Sequence, residues 1–160
     1  VRLVGSEMCI RDRYWSSLAW QWNDPGRCLA EAERVLKPGG ILAVATLGTA
    51  NFPELRQAFA ETDSYSHTLT IPSAETLLAA CQVAGWRVCV WQQQPVRRYY
   101  PDARAVLRSV KEVGAHEVEQ RRPTLLSRAA WQAISARYER LRQPAGLPLT
   151  YDAVWLIATR

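Results

Sequence analysis

The chain has 160 residues, of which 48% are hydrophobic and 22% charged, with a formal charge of +5. This balance describes one globular domain or part of one and excludes a disordered chain. No apolar run approaches the roughly 18 residues of a membrane-spanning helix, and no zinc spacing, helix-turn-helix signature or basic-aromatic RNA motif points to nucleic acid.

The segment "YWSSLAW" (14–20) reads as the end of a strand running into a loop. The thirteen residues before it, "VRLVGSEMCIRDR", do not match it, because a central parallel strand should be apolar where "RDR" stands. They resemble translated adapter sequence, and residues 1–13 are expected not to be native. In "NDPGRCLAEAERVLKPGG" (23–40), Asp24 suits a helix cap, Pro25 the first turn, and Leu29, Ala32, Val35 and Leu36 form a helical stripe. Pro38-Gly39-Gly40 is expected to stop that helix, and "ILAVATL" (41–47) to be a strand covered on both faces. A helix is predicted over "NFPELRQAFAETD" (51–63), with Leu55, Ala58 and Phe59 on one face. Another is predicted over "SAETLLAACQVAGW" (73–86), capped by Ser73, with Leu77, Leu78 and Cys81 inward and Gly85 at its end.

"WRVCVWQQQPVRRYY" (86–100) alternates Trp86, Val88 and Val90 against Arg87, Cys89 and Trp91, as a strand does. Asp102 opens a helix that runs through Val110 and ends at Gly114. Ser127 opens another, with Trp131, Ile134, Tyr138 and Leu141 in register. "LTYDAVWLIATR" (149–160) is a strand with apolar residues on both faces. The order is strand end, helix, strand, two helices, strand, two helices, strand: the C-terminal half of a doubly wound, Rossmann-like α/β domain.

Four cysteines (Cys9, Cys28, Cys81 and Cys89) form no CxxC pair. With no credible secretion signal, free thiols in a reducing cytoplasm are expected. A loose basic cluster comprises Arg97, Arg98, Arg104, Arg108, Lys111, Arg121 and Arg122. It is either a solvated surface or a face for an acidic partner. His67 and His116 have no matching ligands at metal spacing, so no metal is expected.

The element order resembles the second half of class I S-adenosylmethionine-dependent methyltransferases, strands four to seven, with an antiparallel last strand. "LKPGG" (36–40) before strand five is common in that superfamily. Three stretches narrow the resemblance: "WSSLAWQWNDP" (15–25), "LRSVKEVGAH" (107–116) and "LPLTYDAVWLIATR" (147–160). In this order they are similar to W-S-N-L-A-x-Q-W, R-S-L-K-x-I-G-A and the closing P-L-T-Y strand of the malonyl-acyl-carrier-protein O-methyltransferases of biotin synthesis. Ser17 stands where that pattern usually has Asn. The resemblance spans 14–160, with 101–149 as a helical insertion or lid.

It implies S-adenosyl-L-methionine as cofactor and malonyl-acyl carrier protein as partner and substrate, with transfer of a methyl group to the free malonyl carboxylate. A carboxylate is already a competent nucleophile, so alignment and exclusion of water matter more than a strong base, and no catalytic triad is expected. The acidic and Gly-rich cofactor turns of the fold's first half do not occur in this chain, which is therefore expected to bind the cofactor poorly and to expose a pairing edge. Gly39-Gly40 ends a helix and is no substitute.

Ligands of open α/β sheets bind outside the carboxyl ends of strands. This places Ser17 and Leu18 at the cofactor, Gln21 and Trp22 at the substrate, and Thr46 and Leu47 at the pocket border. Arg108 and Lys111 share a helical face; they and Tyr151 are the remaining substrate-binding candidates. Two other functions remain open: a methyltransferase for a free small carboxylic acid, and a non-catalytic fragment that binds an acidic protein.

Overall fold

The computed structural model describes residues 11–60, 71–112 and 127–160. Its elements are β1 (Arg11–Ser17), a 3₁₀ turn (Trp20–Trp22), α1 (Pro25–Val35), β2 (Leu36–Leu47), α2 (Pro53–Phe59), α3 (Ala74–Val83), β3 (Arg87–Tyr100), α4 (Ala103–Glu112), α5 (Arg128–Glu139) and β4 (Leu147–Thr159). The sheet order is β1-β2-β4-β3, with β1 parallel and β4 antiparallel to β2. The expected element order and the antiparallel closing strand are both present. The chain forms two compact units.

The first unit comprises Val1–Gly48, Pro72–Gln94 and Ala153–Arg160. Asp24 caps α1: its Oδ1 accepts from the Arg27 amide at 2.8 Å, which satisfies one of the free donors of the first turn. Leu29 and Ala32 of α1, Leu77 and Cys81 of α3, and Leu42 and Leu156 of the sheet are at most 5% exposed and meet in one core. Ser73 caps α3 through its Oγ, which accepts from the Thr76 amide at 3.1 Å. The helix closes at Gly85 (φ +76°), with the Trp86 amide bonded back to the Cys81 carbonyl at 2.9 Å. That left-handed closure draws Trp86 onto Cys81 inside the core.

Two details differ from the sequence-based expectation. Helix α1 ends at Val35, before Pro38-Gly39-Gly40, and Leu36 already pairs with Arg11. A proline disfavours helical geometry in the residue before it, so the turn is lost ahead of Pro38. The register then jumps from Arg11↔Leu36 to Arg13↔Ile41, with Lys37–Gly40 bulged out. Gly40 is required there, since a Cβ would lie 2.8 Å from the Lys37 carbonyl oxygen. Arg11–Arg13 continue β1 with exposed side chains, and Asp12 pairs with Lys37 at 2.9 Å.

The second difference is in β3. Trp86, Val88 and Trp91 lie on the helix-covered core. Val90, expected beside Trp86 and Val88, instead borders a groove of about 320 Å³ with Trp15, Ala43, Ala45, Trp155 and Ile157. The alternation therefore shifts phase after Val88. Trp15, on this second face, is 75% exposed.

The second unit comprises Thr49–Ile71 and Pro95–Asp152. Asp102 and Ser127 cap α4 and α5, accepting from the amides of Ala105 (2.8 Å) and Ala130 (3.1 Å). Val106 and Val110 of α4, Ile134 and Tyr138 of α5, and Leu55 and Phe59 of α2 are buried, and α5 packs on both α2 and α4. The expected insertion 101–149 falls inside this unit, together with α2.

Candidate active site

In the first unit the parallel strands β1 and β2 end side by side, Ser17 opposite Ala45. Leu18 then takes φ +51°, the left-handed region, although it is not glycine. Its amide donates to the Ala45 carbonyl at 2.8 Å, and its carbonyl accepts from Gln21 Nε2 at 2.9 Å. The other end of the Gln21 amide, Oε1, accepts from Thr46 Oγ1 at 3.3 Å. Gln21 and Thr46 are buried, 6% and 7% exposed. Around this polar floor Leu18 and Trp22 are each 39% exposed, and Ser17 is also exposed. Trp20 turns the other way, into the core.

Ser17, Leu18, Gln21, Trp22 and Thr46 thus lie at or just beyond the carboxyl ends of two parallel strands. Gln21 was expected to face a substrate; both ends of its amide are engaged within the protein. Leu47 ends β2 buried, 4% exposed.

Arg108, Lys111 and Tyr151 belong to the second unit. Arg108 and Lys111 are exposed on α4. The Tyr151 hydroxyl lies 3.2 Å from that of Tyr100, and its ring meets Phe52 edge-on, with centroids 5.1 Å apart. Burial pushes the Tyr151 phenol up to about 12; the Tyr100 hydroxyl adds to the rise, while a hydrogen bond with Ser109 and the charge of Arg98 oppose it. Tyr151 is therefore a neutral hydroxyl at physiological pH.

Beside it is a polar cluster that sequence reasoning missed. The Thr150 amide donates to Glu54 Oε2 at 3.0 Å, and its hydroxyl donates to Glu54 Oε1. Arg97 Nε donates to the same hydroxyl at 3.3 Å. Asn51 Oδ1 accepts from the Asp152 amide at 2.8 Å, and Asp152 Oδ2 accepts from the Ala50 amide at 3.0 Å. The only local signal was Thr150 within the P-L-T-Y match.

Of the basic cluster, Arg121 and Arg122 lie outside the described residues, as do His67, His116 and Gly114. Among the described residues no three His, Cys, Asp or Glu side chains gather as metal ligands, and no helix is long and apolar enough to cross a membrane.

A parallel strand pair followed by an antiparallel closing strand fits the second half of a class I methyltransferase fold. Residues 12–44 match the family model described as methyltransferase domain. Among solved structures, a candidate methyltransferase of Bacillus halodurans C-125 superposes with a TM-score of 0.56 at 13% identity, covering 94% of this chain and 64% of that one. A functionally unknown protein of Deinococcus radiodurans R1 gives 0.52 at 11% identity, covering 99% and 53%.

The sequence is similar, more narrowly, to malonyl-[acyl-carrier protein] O-methyltransferases. That of Dechloromonas aromatica is 44% identical over 93% of this chain and 57% of its own length. That of Laribacter hongkongensis is 42% identical over 90% and 49%. A biotin biosynthesis bifunctional protein BioHC of Cellvibrio japonicus is 34% identical over 91% and 30%. The chain spans about half the length of the curated relatives it matches.

Proposed function

We propose that the enzyme containing this chain transfers a methyl group from S-adenosylmethionine to the free carboxylate of malonyl held on acyl carrier protein. The observation that carries the reading is the 44% identity over 93% of the chain to a protein named for that reaction.

The residues at the carboxyl ends of β1 and β2 fit such a cofactor. Leu18 and Trp22 offer exposed apolar and aromatic surface over a floor of neutral hydrogen-bonding groups. An indole face attracts a sulfonium as it does other cations. When bound, the cofactor supplies an electrophilic methyl carbon, whose bond to sulfur breaks, leaving its electron pair on sulfur, as a carboxylate oxygen bonds to it in line.

What this chain's residues contribute is placement. Leu18 and Trp22 exclude water, which raises the reactivity of an already anionic oxygen. Exposed Arg108 and Lys111 supply positive charge for an acidic carrier protein, an attraction that guides association more than it holds the complex. Tyr151, neutral at physiological pH, donates or accepts a hydrogen bond without charging. Residues 101–149 form the region that recognises the acyl substrate.

The test is transfer of labelled methyl by the full-length enzyme to malonyl-acyl carrier protein, with free malonate as comparison. Transfer to the carrier-bound substrate at least a hundredfold faster than to malonate is expected. Preference for the free acid would refute the reading.

A further inference from the structure

We infer that Gln21 and Thr46 are positioning residues, a lock that holds the turn Ser17–Leu18 in its ligand-facing shape; the inference rests on the methyltransferase reading for the identity of the ligand. Leu18 is the point of departure. A leucine has a Cβ that disfavours φ +51°, so this conformation persists only where neighbours impose it. Two bonds do so. The Leu18 amide is tied to the Ala45 carbonyl of β2, and the Leu18 carbonyl to Gln21 Nε2.

The Gln21 amide has only one workable orientation. The Leu18 carbonyl can only accept, so the nitrogen faces it, and Oε1 is left for a donor. Thr46 Oγ1, on β2, is that donor. A chain of bonds therefore runs from the Leu18 carbonyl through the Gln21 amide to the Thr46 side chain, parallel to the backbone bond from Leu18 to Ala45. Both side chains are buried, so loss of the Thr46 hydroxyl leaves Gln21 Oε1 without a ready water to replace it, and loss of the Gln21 amide frees the Leu18 carbonyl and removes the partner of Thr46.

Leu18 lies within the locked turn and Trp22 directly follows Gln21, and both are exposed at the strand ends. Their direction depends on the turn. Gln21 and Thr46 act through it: they set the geometry of the binding surface and need not touch the ligand.

The experiment has two arms, each using Gln21→Leu, Thr46→Val and Thr46→Ser. In the full-length enzyme without ligand, amide hydrogen exchange at Leu18 is followed by NMR. In the full-length enzyme, KM for S-adenosylmethionine, kcat and binding of S-adenosylhomocysteine are measured. Gln21→Leu and Thr46→Val are expected to accelerate Leu18 exchange about tenfold, and to raise KM about tenfold with kcat within about twofold. Thr46→Ser, which keeps the hydroxyl, is expected to match the parent in both arms.

Unchanged Leu18 exchange in Gln21→Leu overturns the lock, as does faster exchange with an unmoved KM, or Thr46→Ser as damaging as Thr46→Val. If the parent binds S-adenosylhomocysteine but transfers no methyl to malonyl-acyl carrier protein, the functional reading fails and the lock is decided by exchange and binding alone. A parent that neither transfers nor binds overturns both.

Discussion

Replacing Tyr138 by Phe removes one oxygen from the interior of the second unit. Tyr138 is 1% exposed, and its hydroxyl donates to the Pro148 carbonyl at 2.8 Å. Pro148 is itself buried, so the carbonyl loses its partner where water cannot replace it, at a cost of about 1–2 kcal/mol at pH 7. The effect depends on pH. Burial, and then the negative charge of Glu54, hold the Tyr138 phenol above its ordinary value. A folded pKa raised above the unfolded one means that the contribution is complete below pH ~10, the unfolded value. Above it the unfolded chain releases a proton that the folded chain retains, and stability falls by about 1.4 kcal/mol per pH unit. The Phe variant lacks that slope, whereas every other tyrosine is common to both proteins. The difference in urea-unfolding free energy, followed by circular dichroism, is therefore expected to be largest at pH 7 and to close by about pH 11. A gap as wide at pH 11 as at pH 7 would refute the reasoning.

Gly146→Ala places a Cβ 2.6 Å from the Tyr100 carbonyl oxygen at φ +124° and is expected to cost about 2–3 kcal/mol, read as a fall in Tm. Asp24→Ala should destabilise α1 by about 1 kcal/mol, while Asp24→Asn, which also caps, should restore most of it in denaturant titrations. Arg108→Ala is expected to raise KM for malonyl-acyl carrier protein about three- to tenfold at unchanged kcat, with the difference shrinking as salt is added. A salt-independent effect, or none, would remove Arg108 from carrier recognition.

Local chemistry was the legible part of this chain. Asp24, Ser73 and Ser127 each announce a helix by a side-chain oxygen followed by an apolar stripe, and each makes the expected capping bond. The strand ends that carry Ser17, Leu18 and Thr46 could be placed because ligand sites follow strand direction. The left-handed Leu18 was not legible, since nothing in leucine favours positive φ; bonds from Gln21 and Ala45 impose it. The phase shift after Val88 also escaped, because Val90 and Trp91 are both apolar and satisfy either face. Glu54 with Thr150, and Asn51 with Asp152, are pairs joined only by the folded chain, and no local period can record them.

The position of β4 has a consequence for biosynthesis. It lies between β2 and β3 although it follows both in the chain, with Leu42 facing Ala158 and Leu47 facing Ala153. On the ribosome, β2 and β3 emerge long before the strand that separates them. Until then Leu42 and Val44 have α1 for cover but no sheet neighbour on the β4 side, and β3 has nothing to pair with across the gap. The pairing that completes the sheet thus joins strands distant in sequence, a class of contact that is slow to close. A nascent chain stalled before Leu147 would leave the inner edge of β2 and the whole of β3 open to pairing, the kind of surface that chaperones bind and that stray strands join.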